Sequence, residues 1–204
     1  MRPSLTEKER RFILRARGFF ANHHAKRILP REMGYWSIVG PVWDAIDIYS
    51  GPDVFRQTFN SAPRASALLF AAHFCQSEIC NGGFHQFFWN STGVLAPEAV
   101  EGFGEIGQAQ VAALLEKGMS LLWNAYPRDR NERQERLEQI PKSSLDALDN
   151  VFYSLIDSEA GGFTAAADRY EAMVRPNSDS QPRASSDASG SSGSNASREP
   201  LSRL

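Results

Sequence analysis

The sequence predicts an all-α protein, a single irregular bundle of about seven or eight helices with a disordered, Ser-rich C-terminal tail. Three observations support this fold class. Apolar residues recur every three or four positions through most of the chain, as on the buried face of a helix, and no segment alternates strictly like a half-buried strand. The 204 residues are 42% hydrophobic and 23% charged, which is enough for one packed core. No run of about 18 apolar residues is present, so no membrane span is expected.

Charge divides the chain into three segments. Residues 1–32 carry nine Lys or Arg and three acidic residues, and are predicted to form a basic amphipathic helix. Residues 33–176 carry ten basic and eighteen acidic residues, and form the predicted helical domain with a balance of −8. Residues 177–204 contain ten serines and no aromatic residue. Because such a segment buries too little apolar surface to offset its chain entropy, it is predicted to be disordered.

Three helices are predicted in the first half of the domain. The first ends at Gly51 and Pro52, and its apolar residues are Val39, Val42, Trp43 and Ile46. A short helix from Asp53 follows. The third is longer, and its buried face is predicted to contain Ala65, Leu68, Leu69, Ala72, Gln76 and Ile79. Gly82 and Gly83 interrupt this helix, because glycine tolerates left-handed backbone.

The second half of the domain contains further predicted helices. Pro97 opens a short one, and apolar spacing over residues 111–122 indicates another before Pro127. Acidic and basic residues alternate over 128–138, a pattern typical of an exposed helix with many salt bridges. The last two helices are predicted to begin at Ser143 and at about Thr164.

The segment over residues 78–93 carries the most specific motif of the chain. Asn81, Gly82 and Gly83 break a helix, and Gln86 and Asn90 place two amides on one face of the next one before it ends. This segment resembles the signature of a bacterial domain family named after a DNA mimic protein, corresponding to that protein's C-terminal domain. The residues that match the family pattern are Glu78, Asn81, Gly82, Gly83, Phe84, Gln86, Asn90 and Gly93. The resemblance extends over about residues 36–174.

The resemblance implies an all-helical protein that imitates the phosphate charge of duplex DNA and so occupies the DNA-binding face of a transcription factor. A mimic of this kind needs rows of surface carboxylates. Two candidate rows at helical spacing are Glu98, Glu101, Glu105 and Asp146, Asp149, Asp157. The expected partner is therefore a DNA-binding protein, and the domain itself is not expected to bind nucleic acid. The moderate charge and the arginines of residues 128–136 weaken this interpretation.

The alternative hypothesis is a small hydrolase or ligand-binding protein. Its polar pocket would be formed around Glu78, Asn81, His85 and Gln86, since a histidine beside a carboxylate can perform acid–base chemistry. The polar motif residues suit the capping of helix ends better than proton transfer. The sequence therefore favours a non-enzymatic protein, and we assign no catalytic residue.

No metal or other cofactor is expected. His73, Cys75, Cys80 and His85 fit no zinc-binding spacing. The two cysteines lie five residues apart on a predicted helix, beyond disulfide reach, so the interpretation is two buried thiols in a reducing compartment. Since no secretion signal is recognisable, we expect a cytoplasmic protein. The oligomeric state stays open.

Overall fold

The computed structural model describes residues 33–122 and 125–175. The predictions of a helix in residues 1–32 and of a disordered tail in residues 177–204 lie outside these residues. Within them the chain contains eight α-helices and no β-strand, which confirms the all-α fold class. The helices are α1 (Trp36–Val39), α2 (Pro52–Ser61), α3 (Arg64–Trp89), α4 (Ala96–Glu105), α5 (Ala109–Leu122), α6 (Arg130–Leu137), α7 (Lys142–Ser158) and α8 (Phe163–Val174).

Helix α3 is the centre of the bundle. It packs against α4, α6 and α7 and against the 3-10 turn Ser91–Leu95, and all residues from Ser66 to Cys75 are buried. Helix α4 crosses it closely at Gly102, where a Cβ atom would lie only 2.4 Å from the carbonyl oxygen of Leu68. This central position means that α3 can carry residues that contact several other helices.

The prediction of a helix that ends at Gly51 is wrong over most of its length, because only Trp36–Val39 is α-helical there. Helix α1 is followed by a 3-10 turn at Gly40–Val42, and residues 43–51 are not α-helical. The Asp47 carboxylate accepts hydrogen bonds from the backbone N–H groups of Tyr49 and Ser50, at 2.8 and 3.1 Å. Such side-chain turns compete with helix formation. The apolar residues that suggested a helix are nevertheless buried in the core.

Candidate functional site

The motif lies where α3 is broken. Gly82 and Gly83 have non-helical backbone, and Gly83 has φ +74° and ψ 178°. A Cβ atom on Gly82 would lie 2.2 Å from Oε1 of Gln86, and one on Gly83 would lie 2.3 Å from Oδ2 of Asp149. Gly83 therefore requires glycine for its positive φ, whereas a side chain at Gly82 would displace the amide of Gln86. The helix resumes at Phe84, so the break is located where the sequence predicts it.

Helix α7 binds the backbone on both sides of the break. The N–H of Phe84 donates to Oδ1 of Asp149 at 2.8 Å, and the hydroxyl of Tyr153 donates to the carbonyl of Ile79 at 3.3 Å. Burial raises the pKa of Asp149, and the hydrogen bond from Phe84 opposes that rise. The carboxylate of Asp149 thus satisfies an N–H group that the break in α3 leaves without a helical partner.

A buried carboxylate joins the two halves of α3. Glu78 is only 2% exposed, and its Oε2 accepts hydrogen bonds from Nε2 of Gln86 at 2.9 Å and from Nδ2 of Asn90 at 3.0 Å. The spacing of one helical turn between the two amides lets both reach the same oxygen. Asn81 does not join this cluster: its side chain is exposed and makes no hydrogen bond with a residue that the structure describes. Glu78, Gln86 and Asn90 are called the Glu78 cluster below.

Helix α6 covers the C-terminal end of α3. The guanidinium of Arg133 donates to the carbonyls of Phe88 and Asn90, at 3.0 and 2.9 Å. Arg130 donates to the carbonyl of Trp89 at 3.2 Å. Carbonyls in the last turn of a helix have no intrahelical partner, and positive charge is favourable beside them. The arginines of α6 therefore act as caps for α3.

The sequence predicts that the helix over residues 128–138 is exposed, and this prediction is wrong for its arginines. Arg133 is fully buried, and burial is the main cause that lowers its pKa. Gly93 provides the space, since a Cβ atom there would lie 2.7 Å from Nε of Arg133. The alternation of charges along the sequence could not show that the end of another helix lies against this one.

The carboxylates of α6 lie on its other face. Glu132, Glu135 and Glu138 are exposed at intervals of three residues, while Arg130 is half-buried. On a helix of 3.6 residues per turn the mean direction of the acidic row is about 160° from the mean direction of Arg130, Arg133 and Arg136, although Glu132 and Arg136 lie one turn apart on the same face. The sequence-based choice of carboxylates omitted this row, although a helical projection of residues 130–138 could have found it.

Two arginines pair with the three carboxylates of the predicted row on α4. Glu98 forms a half-buried ion pair with Arg128, with O–N distances of 2.9 and 2.7 Å. Glu101 and Glu105 are exposed, and both pair with Arg64. Of the predicted row on α7, Asp146 and Asp157 are exposed, whereas Asp149 is half-buried against the break in α3. The structure thus brings the α7 row next to the motif and gives the α4 row cationic partners.

A family model described as DMP19-like protein matches residues 60–177. The chain belongs to the DMP19-like protein family. The match contains the complete motif and all of helices α3 to α8, and it confirms the resemblance found from the sequence. The comparison with curated proteins and the comparison with solved structures each returned no match.

This DMP19-like chain places the four residues of the alternative hypothesis in different environments, and only Glu78 and Gln86 share a hydrogen bond that the structure describes. The carboxylate of Glu78 is buried and bound by two amides, whereas Asn81 is exposed, and the His85 ring stacks on Trp89 at 5.7 Å. Three surface cavities, of about 490, 670 and 420 Å³, are lined by other residues than Glu78, Asn81, His85 and Gln86.

The remaining candidate ligands of the DMP19-like chain are separated. His73 is buried among aromatic rings, where its Nδ1 lies 3.1 Å from the Tyr35 hydroxyl, and burial lowers its pKa to about 3. Cys75 is buried but Cys80 is exposed, so the expectation of two buried thiols is wrong for Cys80. Within the described part of the chain, no three His, Cys, Asp or Glu side chains lie close enough to share a metal ion.

Among residues 33–122 and 125–175, no helix is long and apolar enough to cross a bilayer.

Proposed function

We propose that this DMP19-like chain binds a DNA-binding protein through surface carboxylates and occupies the face with which that protein contacts DNA. The observation that carries the proposal is the separation of charge on α6. Arg130 and Arg133 donate to backbone carbonyls of α3, whereas Glu132, Glu135 and Glu138 are exposed. Two of the arginines that weakened the mimicry hypothesis in the sequence, Arg130 and Arg133, therefore face the interior, whereas the three carboxylates face solvent.

The spacing of these carboxylates suits a partner that recognises phosphates. B-DNA presents one negative charge per roughly 1.7 Å of its axis. Along one strand the spacing is roughly 3.4 Å. A helix rises about 1.5 Å per residue, so Glu132, Glu135 and Glu138 are spaced by roughly 4.5 Å along the helix axis, which is comparable to the phosphates of one strand. Arg side chains bind carboxylate and phosphate with the same bidentate geometry. A cationic DNA-binding face can therefore engage this row in place of a stretch of backbone phosphates.

Other carboxylates contribute to the proposed surface to different degrees. Asp146 and Asp157 are exposed on α7 and offer further carboxylates. Glu98, Glu101 and Glu105 are paired with arginines, and Asp149 accepts the N–H of Phe84, so these four offer a partner less free charge. The proposal includes a cytoplasmic setting in a bacterium, where such a partner would be present, and regulation of transcription as the result.

Affinity capture with the full chain tests the proposal. The bait is incubated with bacterial lysate at low and raised salt, and bound proteins are eluted with duplex DNA. A triple variant, Glu132→Gln with Glu135→Gln and Glu138→Gln, removes the α6 row. The matched control removes the same charge from exposed positions outside the predicted rows, through Asp44→Asn, Asp53→Asn and Glu116→Gln.

We expect a DNA-binding protein that the wild-type chain retains at low salt and releases with duplex DNA, because exposed charge contacts are screened by salt. The α6 triple variant should lose this protein and the control variant should keep it. Retention by the α6 variant equal to that of the wild type would contradict the proposed surface. Retention that duplex DNA cannot reverse would contradict mimicry itself.

A further inference from the structure

A groove of about 670 Å³ lies between α1 with its following turn and the C-terminal end of α2. One wall is formed within residues 37–45 and the other within residues 57–66. Apolar side chains contribute most of its surface, and among them Pro41, Ala45 and Pro63 are exposed to solvent. We call this groove the apolar groove.

The hydroxyl groups of the apolar groove are bound within its own walls. The Thr58 hydroxyl donates to the carbonyl of Val54 at 2.9 Å, and the Ser61 hydroxyl donates to the carbonyl of Gln57 at 2.8 Å. The hydroxyl of Ser37 donates to a carboxylate on α8 at 2.6 Å. Small-molecule sites usually combine an apolar lining with a few polar groups that converge on the ligand. Since these hydroxyls are engaged locally, the groove suits apolar side chains better than a polar ligand.

Two segments of the chain lie outside the described residues at its ends, and their sequences differ in what they offer such a groove. Residues 177–204 contain ten serines and no aromatic residue. In residues 1–32, by contrast, the spacing of Phe12, Ala16, Phe19 and Phe20 is that of one helical face. We call these four residues the apolar stripe. An amphipathic helix binds a groove through apolar side chains at intervals of three or four residues, so the N-terminal segment has the matching pattern.

The described chain begins beside the apolar groove. The carbonyl of Gly34 accepts the N–H of Ser37 at 3.0 Å, and Ser37 lines the groove. Residues 21–33 connect the apolar stripe to Gly34, and a connector of this length can extend over roughly 40 Å. Because the segment is tethered at the groove, its binding is intramolecular and benefits from a high effective concentration.

The charges of the two parts are complementary. Residues 1–32 carry nine Lys or Arg and three acidic residues, whereas residues 33–176 have a balance of −8. No charged residue is among the described residues that line the apolar groove, and Asp44 is exposed next to Ala45 at its edge. An apolar groove in an acidic domain therefore favours a segment that is apolar on one face and basic elsewhere.

We infer that the N-terminal segment of residues 1–32 binds in the apolar groove of its own chain, with the apolar stripe in contact with the walls of the groove. The occupant is a part of the same chain, held by apolar contact and oriented by the opposite charges of the two parts. This surface is separate from the carboxylates of α6, and the inference does not depend on the proposed partner.

The rate at which a disulfide reagent modifies thiols introduced into the groove tests this inference in the full chain. The Cys80→Ser background removes the exposed native thiol. Ala45→Cys and Ser61→Cys each place one thiol on a different wall. Asn60→Cys is the control for local reactivity, because Asn60 is exposed on α2 and does not line the groove.

Each thiol is measured with three forms of the N-terminal segment. The first is the natural segment. The second is Phe19→Asp with Phe20→Asp, which places two charges in the apolar stripe. The third is Gly18→Asp with Ala21→Asp, which adds the same charge about 150° away on a helix of 3.6 residues per turn. Cys75 should stay unreactive throughout, since it is buried in the folded domain.

We expect the thiols at positions 45 and 61 to react at least about tenfold faster in the stripe variant than with the natural segment, because a segment bound for roughly nine-tenths of the time slows the reaction about tenfold. The control with charges off the stripe should keep the slow rates, and the thiol at position 60 should react equally in all three forms. Equal rates at positions 45 and 61 in all three forms would overturn the inference. Protection that increases with protein concentration would also overturn it, since the occupant would then be a second copy of the chain.

Discussion

Replacement of Gly83 by alanine tests how the break in α3 is stabilised. The backbone of Gly83, with φ +74° and ψ 178°, belongs to a region that only glycine adopts readily, and other residues there cost about 1–3 kcal/mol. The new Cβ would also lie 2.3 Å from Oδ2 of Asp149 and displace that carboxylate from the N–H of Phe84. Loss of a hydrogen bond to a charged group costs about 1.5–3 kcal/mol. Gly83→Ala should therefore lower the free energy of unfolding by roughly 2.5–6 kcal/mol.

Urea unfolding of the full chain, followed by tryptophan fluorescence, measures this change. Asp149→Ala in the same experiment separates the two contributions. Once Asp149 is removed, Gly83→Ala should cost only the backbone strain, about 1–3 kcal/mol, so the two substitutions should be less than additive. Gly104→Ala is the control, because Gly104 lies in α4 with no atom near its Cβ position. It should leave the stability unchanged or raise it by up to about 1 kcal/mol.

Two results would refute this reasoning. If Gly83→Ala lowered the free energy of unfolding by less than about 1 kcal/mol, the conformation at the break would not need glycine. If Gly83→Ala cost as much in the Asp149→Ala background as in the wild type, the contact between Gly83 and Asp149 would not contribute. After either outcome, backbone strain and the approach of Asp149 would no longer together explain the Gly-Gly pair of the motif.

The remaining predictions concern pH and thiol reactivity. His73 has its pKa lowered to about 3, so below about pH 6.5 the unfolded chain binds a proton that the folded chain does not. The free energy of unfolding should therefore fall as pH decreases from 6.5 toward 3, and His73 should contribute up to about 1.4 kcal/mol per pH unit to this fall. His73→Phe should reduce the slope of the unfolding free energy against pH. Parallel curves for the two proteins would contradict this prediction. Burial raises the pKa of the Cys75 thiol well above its usual range, while Cys80 is exposed. A disulfide reagent should react with one thiol per folded chain and with two thiols per chain in urea. Cys80→Ser should abolish the reaction of the folded chain. Reaction of Cys75 before unfolding would contradict its burial.

Much of the local structure follows from the sequence because its causes are local. The break at Gly82 and Gly83 depends on the lack of a Cβ atom, and the reach of Gln86 and Asn90 to one face depends on helical periodicity. The family is likewise determined by contiguous residues of the motif. The predicted helix over residues 39–46 failed where a non-periodic local contact, the turn at Asp47, competed with the periodic pattern.

By itself the sequence determined the helical class, the position of the break and membership in the DMP19-like family. Only the tertiary structure decided which charges face solvent. Arg133 is buried because the carbonyl of Phe88, 45 residues away, lies at the end of another helix, and Glu98 is paired because Arg128 reaches it from outside α4. The sign of a surface depends on where unsatisfied backbone groups of other elements lie, and no pattern within a single helix contains that information.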